Sequence, residues 1–349
     1  TISYTWRDNG QANTRTEPGS VVTTFGYDSY GRPVQIARSE SGGWNDTTDY
    51  TYDSSGRINK QTFGNGTYEQ YGYDSRSRLY SVTLKNSSNT TLRSQTMNYD
   101  PVGNLSSKSV DSVTTSYAYD DIDQLLSETR SGWSQEYTYD WNGNRLTKKL
   151  NGTTVQNFSY DSSDKLVANA YGTITYDAAG RPTAYPTASG TRTFQWDYDS
   201  RLTGMSAPGS ATITTTHSYN GMGARVGTST SSWSRTDLRS GTSVLAPVVS
   251  SSSGSSSQAA KYVPGVAERR NGVDRWNHAG LSNTDSQTGS SQSLAATREY
   301  DAYGNIVNSS GTFNGPFGYA GKFGYDSGEG SLQLVGHRWY IHEVGRFVT

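Results

Sequence analysis

The sequence contains no cysteine and only three methionines among 349 residues. The first absence excludes a disulfide framework and a thiolate metal site, and it fits any redox compartment. Apolar residues make up 32% of the chain, too few for a conventional aliphatic core of this size. No apolar run is long enough to span a bilayer, and no amino-terminal signal sequence is visible. An excess of charge of either sign is also lacking: 30 Lys and Arg stand against 31 Asp and Glu, for a formal net charge of −1. Nothing therefore favours nucleic acid or an acidic membrane as a partner. Disorder is disfavoured by the aromatic content of 12%, with 26 tyrosines. Tyr, Thr, Val, Ser and Gly together predict strands and tight turns. A tyrosine ring packs on a sheet while its hydroxyl stays wet.

What is present is a repeat. Tyr-Asp pairs begin at residues 27, 52, 73, 99, 119, 139, 160, 176 and 198, and a Tyr219-Asn220 variant follows. Successive spacings are 25, 21, 26, 20, 20, 21, 16, 22 and 21. The unit reads Tyr-Asp, two variable residues, Gly, Arg or Asn, then an apolar residue. Tyr52, Asp53 and Gly56 form one example; Tyr99, Asp100 and Gly103, then Tyr139, Asp140 and Gly143, and Tyr176, Asp177 and Gly180 form others. Turn chemistry explains it. Tyr ends a strand, Asp accepts backbone N–H bonds within the turn, and Gly supplies the positive φ of the reversal. Asn151-Gly152 predicts the hairpin at the opposite end of a unit.

Stacked hairpins of this kind predict an all-β fold: one long antiparallel sheet that twist coils into a spiral, tube or shell. Cross-strand aromatic pairs add roughly 0.2–1 kcal/mol each. Ten units of two strands at ~4.8 Å span about 96 Å, which closes into a tube roughly 30 Å across. The YD sheet is expected over residues 1–230, a Ser-rich irregular loop over 231–260, and a further segment over 261–349 that continues or caps the sheet.

No constellation for catalysis stands out, so no enzyme, metal or cofactor is expected. His217, His278, His337 and His342 are few, and the last two lie five apart, which is not a ligand spacing. Asp120, Asp121 and Asp123 alternate like a calcium loop but lack its Gly and terminal Glu; turn capping explains them better. No Gly-x-Ser-x-Gly elbow appears. Trp44, Trp133, Trp141 and Trp233 suggest either sugar stacking or, more simply, sheet partners. Asn65-Gly66-Thr67 and Asn151-Gly152-Thr153 read as sequons.

The later sequence carries further boxes: Tyr262-Val263-Pro264-Gly265, His278 to Thr284, Tyr300-Asp301-Ala302-Tyr303-Gly304-Asn305, and Gly336 to Phe347, with Arg338, Tyr340, Gly345, Arg346 and Phe347. With the YD pairs, these resemble the Rhs/YD-repeat family and its Rhs-associated core. That resemblance implies a spiralling shell around a polypeptide, as in polymorphic toxins, toxin-complex subunits, wall-associated proteins and teneurins. In several relatives an Asp pair after the core box cuts the cargo free; here it would lie beyond Thr349, and Ile341-His342 replaces the usual Asp-Pro. The role expected is a secreted or cell-surface wall, shell or fibre. Its expected partners are copies of itself, a polypeptide cargo or a surface glycan, with neither nucleic acid nor a membrane span.

Overall fold

The computed structural model describes residues 1–255, 258–327, 332–336 and 338–348. Among these, the secondary structure is β-strand with one 3₁₀ turn, Gly321–Phe323. The strands follow one another in strict chain order. Fifteen, from Ser3–Trp6 to Thr153–Asn157, form one sheet; three short strands and then fourteen more, from Thr175–Tyr176 to Ile306–Gly311, continue it; the last three, from Leu332–Val335 to Arg346–Phe347, form a small separate sheet. Every pairing is antiparallel.

Each Tyr-Asp hairpin carries a β-bulge at the same place. Tyr52 pairs with Ile58 while its neighbour Thr51 pairs with Lys60, leaving Asn59 as the extra residue. The same slip recurs at Tyr27, Tyr73, Tyr99, Tyr119, Tyr139 and Tyr219. A bulge bends and over-twists its strand. Recurring at the Tyr-Asp turns, it bends the sheet in the same sense at each, while the opposite rim carries such slips less regularly, as at Leu84/Lys85 and Met205/Ser206. The opposite rim holds tight reversals: Asn151 and Gly152 both have positive φ, 48° and 78°, and Asn271 and Gly272 repeat this.

The curl brings the later strands over the inner face of the earlier ones. Contacts advance in the same direction on both sides. Tyr4 reaches the Ser240 carbonyl at 2.6 Å, Trp276 Nε1 reaches Asp46 at 2.7 Å, and Asn65 reaches Thr288 at 3.0 Å. Gln95 then meets Asp285 at 2.7 Å and Lys148 meets Asp301 at 2.9 Å. The space that a single-turn tube would leave open is thus occupied by the chain's own later strands. The largest apolar cluster forms where the small C-terminal sheet covers the wall. Leu332, Leu334, Trp339, Ile341 and Val344 pack there against Phe158, Ile174, Tyr185, Phe194, Leu202 and Met205.

Three expectations need correction. The stretch 231–260 is not an irregular loop throughout: it holds the strands Ser234–Arg239 and Val248–Ser253, paired from Arg235–Ser253 to Arg239–Val248. The serine hydroxyls find partners on the neighbouring strand, Ser251 on Asp237 at 2.6 Å and Ser252 on the Thr236 carbonyl at 3.4 Å, so the run continues the ladder begun by Val248 and Val249. Trp44 is not an exposed platform but 3% exposed, packed with Phe63 and Trp276. The tyrosine of the ninth pair, Tyr198, is fully exposed and lies in the turn itself.

Candidate functional site

The repeat residues build a ladder along one rim. In each turn the Asp Oδ1 accepts the backbone N–H groups two and four residues on: Ser55 and Arg57 for Asp53, Asn142 and Asn144 for Asp140, Ala179 and Arg181 for Asp177. Asp100 differs, taking Gly103 and Asn104. The residue three after Asp is left-handed, as at Gly56 (80°), Gly103 (114°), Gly143 (83°) and Gly180 (80°). Where Arg stands fourth, its Nε donates to the Asp Oδ2, at 2.8 Å for Arg57 and 2.7 Å for Arg181. The Arg57 N–H and guanidinium together hold the Asp53 carboxyl below the usual carboxylate range.

Each turn is also tied to the next. The guanidinium of Arg57 lies 4.5 Å from the Tyr73 ring centre, and Arg78 repeats this with Tyr99. Each tyrosine hydroxyl donates back to the carbonyl five residues past the previous Asp. Tyr73 reaches Ile58 at 2.8 Å, Tyr99 reaches Leu79 at 2.8 Å, and Tyr139 reaches Leu125 at 2.7 Å. Tyr52, Tyr119, Tyr160, Tyr176 and Tyr219 do the same. In the ninth unit the rung is Trp196, whose Nε1 donates to Pro182 at 2.6 Å, and the turn carboxylate is Asp197. The frame is set by Arg201 and Leu202, four and five residues after Asp197. Tyr198-Asp199 only mimics the motif.

The second feature is a polar interface between the wall and the returning strands. Glu69 and His278 lie 3.7 Å apart, both nearly inaccessible. Burial pushes Glu69 up to about 8 and His278 down to about 3. Between those values both are neutral, so the contact is not an ion pair. Burial likewise raises Asp46 to about 6. Burial, reinforced by Asp301, raises Glu128 to about 7. Glu128 accepts the Tyr137 hydroxyl at 2.7 Å and the Ala302 N–H at 3.1 Å. Asp301 is a turn carboxylate of the repeat type, accepting from Tyr303, Asn305 and Lys148. A cavity of about 260 Å³ adjoins this pair. The carboxylate oxygens of Asp301 are already occupied, so the pair serves to hold strands together.

The core-box residues converge on the same region. Tyr340 donates to the Tyr303 carbonyl at 3.1 Å, and Gly345 (φ 72°) stands where a Cβ would strike the Tyr303 ring. Arg346 donates to Asn144 Oδ1 at 2.8 Å and to the Asp164 carbonyl. Arg338 stacks on Phe347 at 3.8 Å. His342 contacts the Gly304 carbonyl and Gln333; His217 is buried beside Thr228; His337 lies outside the described residues. Among the described residues, no three His, Cys, Asp or Glu side chains group to hold a metal ion. Asn65 uses its side-chain nitrogen on Thr288 and Gly289, so that sequon faces an internal contact. Asp46, Glu69 and Glu128 carried no local signal, since nothing in a strand pattern says that its inner face will meet the same chain again.

The family model for the teneurin YD-shell matches residues 1–93 and 87–226. This chain belongs to that YD-shell, or Rhs/YD-repeat, family. The YD-shell fold also appears in solved structures. The crystal structure of TcdB2-TccC3 matches with a TM-score of 0.83 and 16% identity, and that of TcdB2-TccC3-Cdc42 with 0.82 and 17%. The Photorhabdus luminescens Tc holotoxin pore with a TccC3 mutation matches at 0.81 and 16%. In each case all of this YD-shell chain is covered but only 20% of the other chain. It thus spans about a fifth of the length of the solved chains it matches. Among curated protein sequences nothing matches.

Proposed function

We propose that this chain is a non-enzymatic segment of the wall of a secreted or cell-surface YD shell, and that the complete shell encloses polypeptide. The shell-type fold and the family are established above; the enclosure, the location and the lack of catalysis are our reading. The observation that carries it is the rim ladder. Each Tyr or Trp rung bonds the carbonyl of the preceding unit, so the wall is stitched lengthwise as well as through strand pairing. Such stitching suits a barrier, because a local opening must break both. Two sheet edges support a continuing wall. Among the described residues, Ser3–Trp6 pairs only with Ala12–Glu17, and Ile306–Gly311 only with Leu294–Tyr300. Bare edges of this kind invite further strands. Electron microscopy of the full-length gene product, combined with limited proteolysis, tests the proposal. Closed particles retaining a protected polypeptide are expected. Open filaments with nothing protected would replace the shell by a fibre.

A further inference from the structure

The turn carboxylate Asp301 departs from the repeat in what it holds. At Asp28, Asp53, Asp74, Asp177 and Asp197 the Oδ2 takes the arginine four residues on, within the same turn. At Asp301 it takes the Lys148 ammonium at 2.9 Å, from a strand 153 residues away across the interface between the wall and the returning strands. An arginine never gives up its proton, but a buried lysine does and is then a nucleophile. Lys148 is 8% exposed and Asp301 2%. Keeping a full ion pair at such a place costs the desolvation of both charges.

The carboxyl is also set up as an electrophile. Its Oδ1 accepts the backbone N–H groups of Tyr303 at 3.0 Å and Asn305 at 2.8 Å. These are two fixed donors for the charge that develops on that oxygen when a nucleophile adds to Cγ. Oδ2, the oxygen that would leave, takes Lys148 and the Asn305 amide, the latter at 2.9 Å. Glu128 accepts the N–H of the next residue, Ala302, and with its pKa raised to about 7 it can both take and give a proton. The further carboxyl beside Lys148, that of Glu343, is also raised by burial, so neither glutamate competes strongly for the ammonium. The cavity lined by Asp301 and Glu128 has room for a released water.

We propose that Lys148 and Asp301 condense into an isopeptide bond, a covalent staple between the wall and the returning strands. A proton first passes from Nζ to Oδ2 along their hydrogen bond, giving amine and acid. The Nζ lone pair then forms a bond to Cγ, and Oδ1 carries the negative charge. Glu128 moves one proton from the nitrogen, now cationic, to Oδ2. The Cγ–Oδ2 bond breaks with its electron pair, the carbonyl re-forms at Oδ1, and one water leaves. Nothing is oxidised or reduced. Lys165 and Asp161 make the internal comparison: they too are a lysine and a turn aspartate, but they stand 3.8 Å apart and are 43% and 36% exposed. Water keeps both charged there, and no bond is expected. The staple stands whether or not the shell encloses polypeptide.

The test is mass spectrometry of the purified chain, folded and then denatured, with tryptic mapping. The wild type should weigh less than its sequence by one water, and the deficit should lie in a branched peptide joining Lys148 to Asp301. Lys148→Arg keeps the ion pair but supplies no nucleophile, and should show its full mass. Asp301→Asn should form the same bond with loss of ammonia in place of water, and so reach the same final mass as the wild type. Glu128→Gln leaves the proton relay to cavity water, so in freshly synthesised chain its deficit should appear about 100-fold more slowly. Folded wild type at full mass overturns the proposal. So does a deficit that survives Lys148→Arg, or a branch that maps to Lys165 and Asp161.

Discussion

At the level of single residues, the repeat distributes its work unevenly. The tyrosine hydroxyl is a tether to the preceding unit, so Tyr73→Phe removes one hydrogen bond and should cost about 1 kcal/mol in urea unfolding. The unit around Trp196 gives a sharper comparison. Trp196→Ala should destabilise by about 3 kcal/mol, through lost packing with Phe194 and the lost bond to Pro182. Tyr198→Ala should stay within about 0.5 kcal/mol, because its ring touches mainly water. Equal costs for the two would mean that the motif at 198, and not the one at 196, forms the rung. The third turn position offers the opposite change. Ser77 and Ser200 hold positive φ, 64° and 60°, where most other units have Gly and two have Asp, Asp123 and Asp164. Ser200→Gly should be neutral or stabilising by up to about 1 kcal/mol, since relief of left-handed strain opposes the entropy that glycine adds to the unfolded chain.

At the level of hairpins, the sequence pattern was a good guide to local geometry and a poor one to what each hairpin meets. The turns at Asp53, Asp140 and Asp177 stand where their side chains demand, because an Asx-type turn needs only residues within five positions. Asn151-Gly152 forms its tight reversal for the same reason. The bulge after each turn was not legible: the extra residue is Asn59 in one unit, Tyr80 in another and Leu126 in a third, so no residue type marks it. Yet the bulge supplies the curl. The serine run at 250–253 misled for a related cause, since its pairing with 235–238 is dictated by neighbours and not by its own preference. Trp44 misled likewise, because its cover comes from Val263, Val266 and Trp276, more than two hundred residues away.

At the level of the whole molecule, two sets of carboxyl groups pull stability in opposite directions with pH. The rim aspartates, such as Asp53, have folded pKa values below their unfolded ones. Their stabilisation is present above about pH 4 and is lost as pH falls through the folded values. Asp46, Glu128 and Glu69 are raised to about 6, 7 and 8. Their stabilisation is fully present below about pH 4 and is lost as pH rises from there through those values. Each unit of displacement corresponds to about 1.4 kcal/mol. Stability should therefore peak on the acid side, at about pH 4–5, and decline toward pH 8. These groups sit between the wall and the returning strands, so the decline should begin there, with faster amide exchange in residues 273–302 than in residues 58–99. Glu128→Gln removes one titrating group while keeping an acceptor for Tyr137 and Ala302. It should flatten the profile between pH 5 and 8 and raise the midpoint of unfolding at pH 8. An unchanged slope would mean that Glu128 is ionised in the folded protein and that Lys148, already bound to Asp301, balances both charges.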